Sequence, residues 1–406
     1  MNHQRISQDA LEGKRRGRSV RFLLTGATGF LGSHIAAELL KRGFRVAALA
    51  RPANGLGAEA RMARLLDWHG VPPPLRRGLE VIEGDITRAD LGLGPVRLRS
   101  VLAGTDEAIH CASNTSFSER KREEVEAVNS EGLSRLLDFA RAGSTYFFHY
   151  VSTAFVAGKS AGPCPEALAP VPEFHNVYEE TKSRGERMVA DACREAGLAF
   201  SIYRPSIVYG DSRTGRSLLF NAVYYPVRAA VFLKDVYEKD IRERGGKKAG
   251  EMGVFIEPDG TLHLPLRVET AGHAGINLIP VDFFTEAFAA LLEEAPGGGV
   301  FHVVNPRSAP IARIIDYTCR FFRLSGIRAC APEEFLTRPR NALETLFANA
   351  IEAYGPYMKD ARSFDTSVSR PILEARGIVC PDFDYGVFSR CMEFAVRTGW
   401  GSRLFV

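Results

Sequence analysis

No run of eighteen apolar residues occurs in this 406-residue chain. Its most apolar stretch, Leu218 to Leu233, is broken by Asn221, Pro226 and Arg228, so no transmembrane helix is expected. No C-x-x-C pair occurs among the seven cysteines, Cys111, Cys164, Cys193, Cys319, Cys330, Cys380 and Cys391. Their scatter and odd number give no readable zinc site and no disulfide framework. Reduced thiols in a cytoplasmic protein, with no metal, are the expectation. A signal-peptide pattern is missing too. The polar, basic start, with Lys14-Arg15-Arg16-Gly17-Arg18, runs through Arg21–Leu24 straight into a glycine motif. Residues 1–19 read as a basic flexible lead-in, or as an arm that attracts an anionic carrier or membrane surface. Charge of one sign is scarce: 52 Lys and Arg against 48 Asp and Glu leave +4. Nucleic-acid binding therefore has no support. Internal repeats and low-complexity tracts are absent.

What is present is ordinary for a globular enzyme: 45% hydrophobic and 25% charged residues. The length suits one large domain or two. Strand and helix signals alternate through the first half. Arg21–Thr25, Phe44–Ala50, Leu79–Glu83, Glu107–Cys111, Tyr146–Val151 and Phe200–Tyr203 read as strands. Phe30–Arg42 carries Leu31, Ile35, Leu39 and Leu40 at a helical period, and Gly43 ends it. Alternation of this kind predicts an α/β fold: a Rossmann-type, doubly wound parallel sheet. Asn277–Val281 and Val300–Val304 read as later strands. The expected organisation is a dinucleotide-binding domain over 20–215 plus 277–305. A smaller, mostly helical C-terminal substrate-binding region takes 216–276 plus 306–406. The charged, glycine-rich stretch 234–260 is expected to be a mobile loop.

Thr25-Gly26-Ala27-Thr28-Gly29-Phe30-Leu31-Gly32 follows a strand and opens a helix, the context that gives a G-x-x-G-x-x-G spacing its meaning. Gly26 permits the tight turn, Gly29 lets backbone approach a pyrophosphate, and Gly32 lets helix and sheet pack. The helix N-terminus offers N–H groups and a positive dipole to phosphates. At the end of the second strand stands Ala50-Arg51, where an NAD enzyme places a carboxylate. Arg51 can bind a 2′-phosphate, and Arg64 is expected to close the same pocket, so NADPH is the expected cofactor. Asp85, followed by Ile86, suits an adenine amino group or a helix N-cap.

Tyr178 and Lys182 lie four residues apart and share one helix face. An ammonium beside the phenol is expected to lower its pKa, and Lys182 can also hold the nicotinamide ribose. Ser152-Thr153 ends the fifth strand, twenty-five residues before Tyr178, where a hydroxyl can orient a substrate carbonyl. Asn129 lies in the preceding helix, and Arg204-Pro205-Ser206-Ile207-Val208-Tyr209-Gly210 follows the sixth strand.

Over residues 20–305 the chain resembles the extended short-chain dehydrogenase/reductases. The resemblance implies Thr153, Tyr178 and Lys182 as the catalytic triad, with Ser152 the less favoured hydroxyl. Asn129 would hold a water relay behind Lys182. Thr28, Phe30, Leu31 and Ala112 would join the glycines at the cofactor, and Pro205 and Ile207 would present backbone to the nicotinamide carboxamide. His110-Cys111-Ala112-Ser113-Asn114-Thr115-Ser116-Phe117, Leu264–Val268 and Asn277–Asp282 resemble fatty acyl-CoA reductases and thioester reductase domains. So does Arg64-Leu65 after Arg51, and Tyr354-Gly355-Pro356-Tyr357 with Phe364-Asp365 does so more faintly, a packed helical tail being the plainer reading.

That resemblance implies reduction of an acyl thioester, on coenzyme A or an acyl carrier protein, to aldehyde or alcohol. An adenylation domain and a carrier domain do not fit in this length, so the thioester is expected to arrive in trans. The apolar stretch Leu218–Leu233 fits a hydrocarbon chain or simply a buried helix. Lys239, Arg242, Arg244, Lys247 and Lys248 fit phosphates, an acidic carrier or solvent. Two other functions stay open: an extended dehydrogenase or epimerase acting on a ketone, hydroxyl or nucleotide sugar, and a non-catalytic dinucleotide-binding protein.

Overall fold

The computed structural model describes residues 20–160, 162–171, 173–271, 275–360 and 362–405. The basic segment Lys14–Arg18 lies outside them. Eleven strands carry the argument: β1 (Arg21–Thr25), β2 (Arg45–Ala50), β3 (Leu79–Glu83), β4 (Glu107–His110), β5 (Phe147–Val151), β6 (Ala199–Pro205), β7 (Ile207–Tyr209), β8 (Leu262–Glu269), β9 (Leu278–Pro280), β10 (Gly299–Val303) and β11 (Leu324–Cys330). The helices that matter are α1 (Phe30–Lys41), α2 (Ala58–Trp68), α3 (Gly132–Ala142), α4 (Val177–Ala196), α5 (Tyr224–Glu243), α6 (Lys247–Glu251), α7 (Val281–Glu294), α8 (Ile311–Phe322) and α9 (Ala342–Ala350).

The central sheet has seven strands in the order β10-β6-β5-β4-β1-β2-β3, every neighbouring pair parallel. β1 and β5 are buried along their whole length, as strands covered on both faces must be. On one face α1 and α7 bury Ile35, Leu39, Phe284 and Phe288 in a single core. On the other, α3 and α4 bury Leu133, Leu136 and Val189. Gly43, at φ +83°, turns the chain from α1 into β2. The order reverses between β1 and β4, the crevice where sheets of this kind bind ligands.

One expectation is corrected. Residues 234–260 are not one loop: α5 continues to Glu243 and α6 covers Lys247–Glu251. The charges that suggested a loop pair along the helix, Lys234 with Glu238 at 2.5 Å, Arg242 with Glu238 at 3.7 Å and Lys239 with Glu243 at 3.9 Å. Spacing of i,i+4 supports a helix, while Leu233, Tyr237 and Asp240 face inward. The C-terminal part is mostly helical, as expected, and also holds a small sheet. β8 alternates buried and half-buried residues and pairs in parallel with β11, so helices surround a small sheet.

Side-chain carboxylates fasten this part to the central sheet. Glu166 accepts from the backbone N–H of His302 on β10 (2.6 Å) and of Val368 and Ser369 (2.7 and 3.0 Å). Arg204 at the end of β6 forks onto Glu186 of α4 at 2.9 and 2.6 Å. As a result, the carboxyl ends of β1, β4, β5 and β6 face residues 350–357 across one cleft.

Candidate active site

The cleft has a volume of about 1290 Å³. Of the residues singled out by sequence, it is lined by Gly26, Thr28, Gly29, Phe30, Leu31, Gly32, Arg51, Asp85, Ile86, Ala112, Thr153, Tyr178, Lys182, Pro205 and Ile207. Asn129 stands behind it and Arg64 outside it.

The glycine loop fits a dinucleotide on steric grounds. Gly26 has φ +74°, and a Cβ there would lie 2.5 Å from Ala112 N in the loop after β4. A Cβ at Gly32 would lie 2.1 Å from Gly26 O. A side chain at Gly26 would collide with the backbone after β4, and one at Gly32 with the glycine loop itself, so either would displace the loop. α1 then starts at Phe30 with no side-chain cap, leaving its first N–H groups for an anion. Thr25 Oγ1 hydrogen-bonds His110 Nδ1 at 2.8 Å and so ties the two strand ends together.

At the far end, Arg51 is exposed, and Arg61 of α2 donates to its carbonyl oxygen at 2.5 Å. Arg61 lines the cleft, whereas Arg64, three residues on, is exposed outside it. The guanidinium beside Arg51 is thus Arg61. A carboxylate is also nearer than the sequence suggested: Asp85 Oδ2 lies 3.8 Å from Arg51 Nη1. Burial pushes the Asp85 carboxyl up, but hydrogen bonds from Thr87 N and Oγ1, together with Arg51, outweigh it and hold it below the usual range.

The triad gathers where β5 meets α4. Thr153 follows β5 and caps a short turn, accepting from Phe155 N at 3.3 Å. Ser152 points away and donates to Glu186 Oε1 at 2.6 Å, so of the two hydroxyls only Thr153 faces Tyr178. Lys182 Nζ donates to Val151 O at 2.6 Å and sits 4.0 Å from the Tyr150 ring centre. The expected lowering of the Tyr178 pKa is reversed in this cleft. Burial pushes the phenol up to about 12, although a hydrogen bond with Thr153 pulls it back. Burial also brings Lys182 down to about 7, with Cys111 and Glu186 opposing. Burial dominates because both groups lie in the low-dielectric floor of the cleft. The phenol is therefore a protonated donor at neutral pH.

Asn129, in a π-turn over Ala127–Glu131, spends its side chain on protein. Its Oδ1 accepts from Asn114 N at 2.8 Å and Ser113 Oγ at 3.1 Å. Its Nδ2 donates to Asn114 O and Thr181 Oγ1, each at 3.0 Å. An amide has two donors and two lone pairs, so none is left for water. Asn129 clamps the loop after β4 to α4 rather than holding a relay through its side chain.

Sequence reasoning missed the roof. Tyr357 donates to Glu179 Oε1 at 2.6 Å and accepts from Asn176 Nδ2 at 2.9 Å. Both partners sit at the first turn of α4, beside Tyr178. The Phe117 ring lies 5.9 Å from Tyr178, 5.6 Å from Tyr357 and 5.9 Å from Tyr354. Tyr354 in turn lies 5.4 Å from Tyr225 of α5. These rings run from the catalytic phenol to the surface, where Tyr225 is exposed. Leu219, Asn221 and Ala222 complete the wall, while Val223, Tyr224 and Val227 turn into the core. The stretch 218–233 thus both lines the cleft and forms a buried helix. Among the described residues, no group of three His, Cys, Asp or Glu is placed to hold a metal, and no helix is long and apolar enough to cross a membrane.

Residues 24–288 match the model of an NAD-binding family described as male sterility protein. An isonitrile lipopeptide synthase from Streptomyces coeruleorubidus is 30% identical over 230 residues, 54% of this chain and 15% of that protein. This chain therefore spans a small part of that relative. The terminal R domain of the myxalamid PKS-NRPS pathway shares the fold with a TM-score of 0.73 at 23% identity, covering 94% of this chain and 92% of that one. A thiolation-reductase di-domain from an archaeal non-ribosomal peptide synthetase superposes with a TM-score of 0.68 at 18% identity, covering 99% and 82%.

Proposed function

The chain belongs to the NAD-binding male sterility protein family, within the extended short-chain dehydrogenase/reductases, and from that membership we propose that it reduces an acyl thioester with NADPH. What supports this most is the convergence of Thr153, Tyr178 and Lys182 on the cleft that also holds the glycine loop. The similarity to reductase domains of carrier-bound assembly lines favours a thioester over a nucleotide sugar. The aromatic roof of Phe117, Tyr225, Tyr354 and Tyr357 also suits a linear arm better than a sugar, which needs many polar partners. Coenzyme A and a carrier protein are both admissible bearers of that arm.

NADPH supplies the hydride when bound. The glycine loop and the N-terminus of α1 would hold its pyrophosphate, Arg51 and Arg61 its 2′-phosphate, and Lys182 its ribose hydroxyls. Pro205 and Ile207 face the carboxamide. Thr153 and Tyr178 donate to the thioester oxygen and stabilise the charge that develops there as hydride reaches the carbonyl carbon. Tyr178 then gives its proton to that oxygen, forming a hemithioacetal. The C–S bond breaks, the hydroxyl proton passes to sulfur, and aldehyde and thiol leave. Reduction of an aldehyde retained in the cleft to the alcohol would require exchange of the spent cofactor for a second NADPH and reprotonation of Tyr178 from solvent before Tyr178 donates again.

The test is NADPH consumption on acyl-CoAs, acyl carrier protein thioesters, aldehydes, ketones and nucleotide sugars. Thioester turnover is expected, and Tyr178→Phe should lower kcat by at least roughly a hundredfold with NADPH binding retained. Turnover of only a ketone or a nucleotide sugar sinks the thioester reading. A Tyr178→Phe enzyme at the wild-type rate sinks the mechanism.

A further inference from the structure

A second cavity, of about 50 Å³, lies behind the roof of the cleft, between α5, β8, α8 and α9. Val227, Ala230, Leu266, Ile315, Phe347 and Met358 are among its lining residues. Its polar lining residue, Thr318, has its hydroxyl donated to Ile314 O at 2.8 Å. A water needs two to four polar partners, so this space is unsuited to one. Interiors pack to crystal density and hold few voids of this kind. An apolar space of this sort takes an apolar guest.

Neighbouring residues of the chain line the cleft and the cavity. Ala222 lines the cleft and Val223 the cavity; Tyr225 the cleft and Pro226 the cavity; Tyr357 the cleft and Met358 the cavity. The weak point between them is Ala222. This residue has φ +50°, a left-handed backbone that a Cβ disfavours and that marks stored strain. Its N–H reaches Tyr354 Oη over 3.4 Å, the long end of the hydrogen-bond range. Rotation of Tyr354 would break that bond and let Ala222 move, which would open a route from the cleft to the cavity.

We propose that this cavity receives the methyl end of the acyl chain whose thioester lies at Tyr178, and that it sets the chain length the protein accepts. The proposal rests on the thioester reading above. A cavity of about 150 Å³ takes a benzene ring, so one a third that size takes about two carbons. Chains that end short of the cavity gain nothing from it, and chains longer than the cavity meet Ile315 and Phe347.

The experiment measures kcat/KM for straight-chain acyl groups from acetyl to hexadecanoyl, carried on coenzyme A and on an acyl carrier protein. Wild type should show a maximum at one length and fall by about tenfold beyond it, since one methylene is worth that much in a closed apolar site. Ala230→Leu fills the cavity and should move the maximum about two carbons shorter, with acetyl-CoA turnover unchanged. Ile315→Ala enlarges it and should move the maximum longer. Neither residue lines the cofactor cleft, so unchanged NADPH binding shows that each variant is folded. A flat wild-type profile overturns the proposal without any variant. So does a folded variant that scales every chain length by the same factor. If no thioester is reduced at all, the proposed function has failed and the chain-length site falls with it, a result distinct from a flat profile.

Discussion

At the scale of single residues, the cofactor end of the cleft depends on two guanidinium groups. Arg51 is paired with Asp85 at 3.8 Å, so part of its charge is already answered. Arg61 stacks a second positive charge beside it, and burial with Arg51 holds the Arg61 guanidinium below its usual range. A phosphate between them relieves that repulsion. Arg51→Ala and Arg61→Ala should each raise the NADPH Kd by roughly tenfold, about 1.4 kcal/mol, and leave NADH nearly unaffected. Titration of both cofactors by fluorescence checks this, and equal losses for NADPH and NADH count against it. Lys182 gives a pH test. Its ammonium, lowered to about 7, is present below that pH and lost above it. Of the groups facing it, Glu186 favours the charged form, while Cys111, pushed up to about 12 by burial, and His110, brought down to about 3, are both neutral at pH 7. NADPH affinity should therefore weaken as pH rises through about 7. Lys182→Met should bind weakly at every pH, and a wild-type Kd that is flat from about pH 6 to 9 would exclude a charged Lys182 at the ribose.

At the scale of elements, the latch between the roof and α4 is the feature to test. Glu179 is fully buried, with Oε2 accepting from His175 N at 2.9 Å and Oε1 from Tyr357. Tyr357→Phe keeps the ring but leaves a buried carboxylate oxygen and the Asn176 amide short of a partner. The expected cost is about 1–3 kcal/mol by urea unfolding, with KM for substrate raised severalfold and NADPH binding unchanged. Unaltered stability and KM would show that the roof is held by its ring packing alone. This latch also shows where sequence reading stops. The pattern Asn176-x-x-Glu179 is legible as a helix start, and Asn176 Oδ1 does accept from Glu179 N at 3.0 Å. Its partner, 178 residues further on, carries no local signal. The parallel sheet was legible because its strands are short apolar runs separated by helical periods. The sequence reading names Arg64 for this pocket and not Arg61; the two are three residues apart on α2, and only tertiary packing decides which one faces the cleft. The helix through residue 243 was hidden because its charges, read without a phase, look like a solvated loop.

At the scale of the whole molecule, the cleft exists only while the C-terminal part stays fastened to the sheet edge, and His302 is at the centre of that fastening. It is buried on β10, its N–H bonded to Glu166 and its Nδ1 donating to Asp365 O at 2.6 Å. Its Nε2 faces Arg204 Nη1 at 3.5 Å as an acceptor. The ring is therefore neutral, and burial brings its pKa down to about 4 despite the Asp365 carbonyl. His110, deep between β1 and β5, is brought down to about 3 for the same reason. In the unfolded chain both titrate near 6.5. Below that pH the unfolded chain binds protons that the folded chain refuses, so stability is full above about 6.5 and is lost as pH falls toward 4. Each histidine contributes up to about 1.4 kcal/mol per pH unit across that window. Thermal melts from pH 7 to 4.5 should show a steep fall in Tm, and His302→Gln should reduce the histidine-dependent slope, to which His34, His69 and His110, all lowered by burial, also contribute. Once charged, His302 repels Arg204 and loses its acceptor, so the fastening opens before the core does. Hydrogen exchange at Val368 and Ser369, whose N–H groups are held by Glu166, should accelerate at a higher pH than exchange in β1 or β5. Exchange that rises everywhere together would mean that the two parts unfold as one unit and that His302 is merely one buried histidine among several.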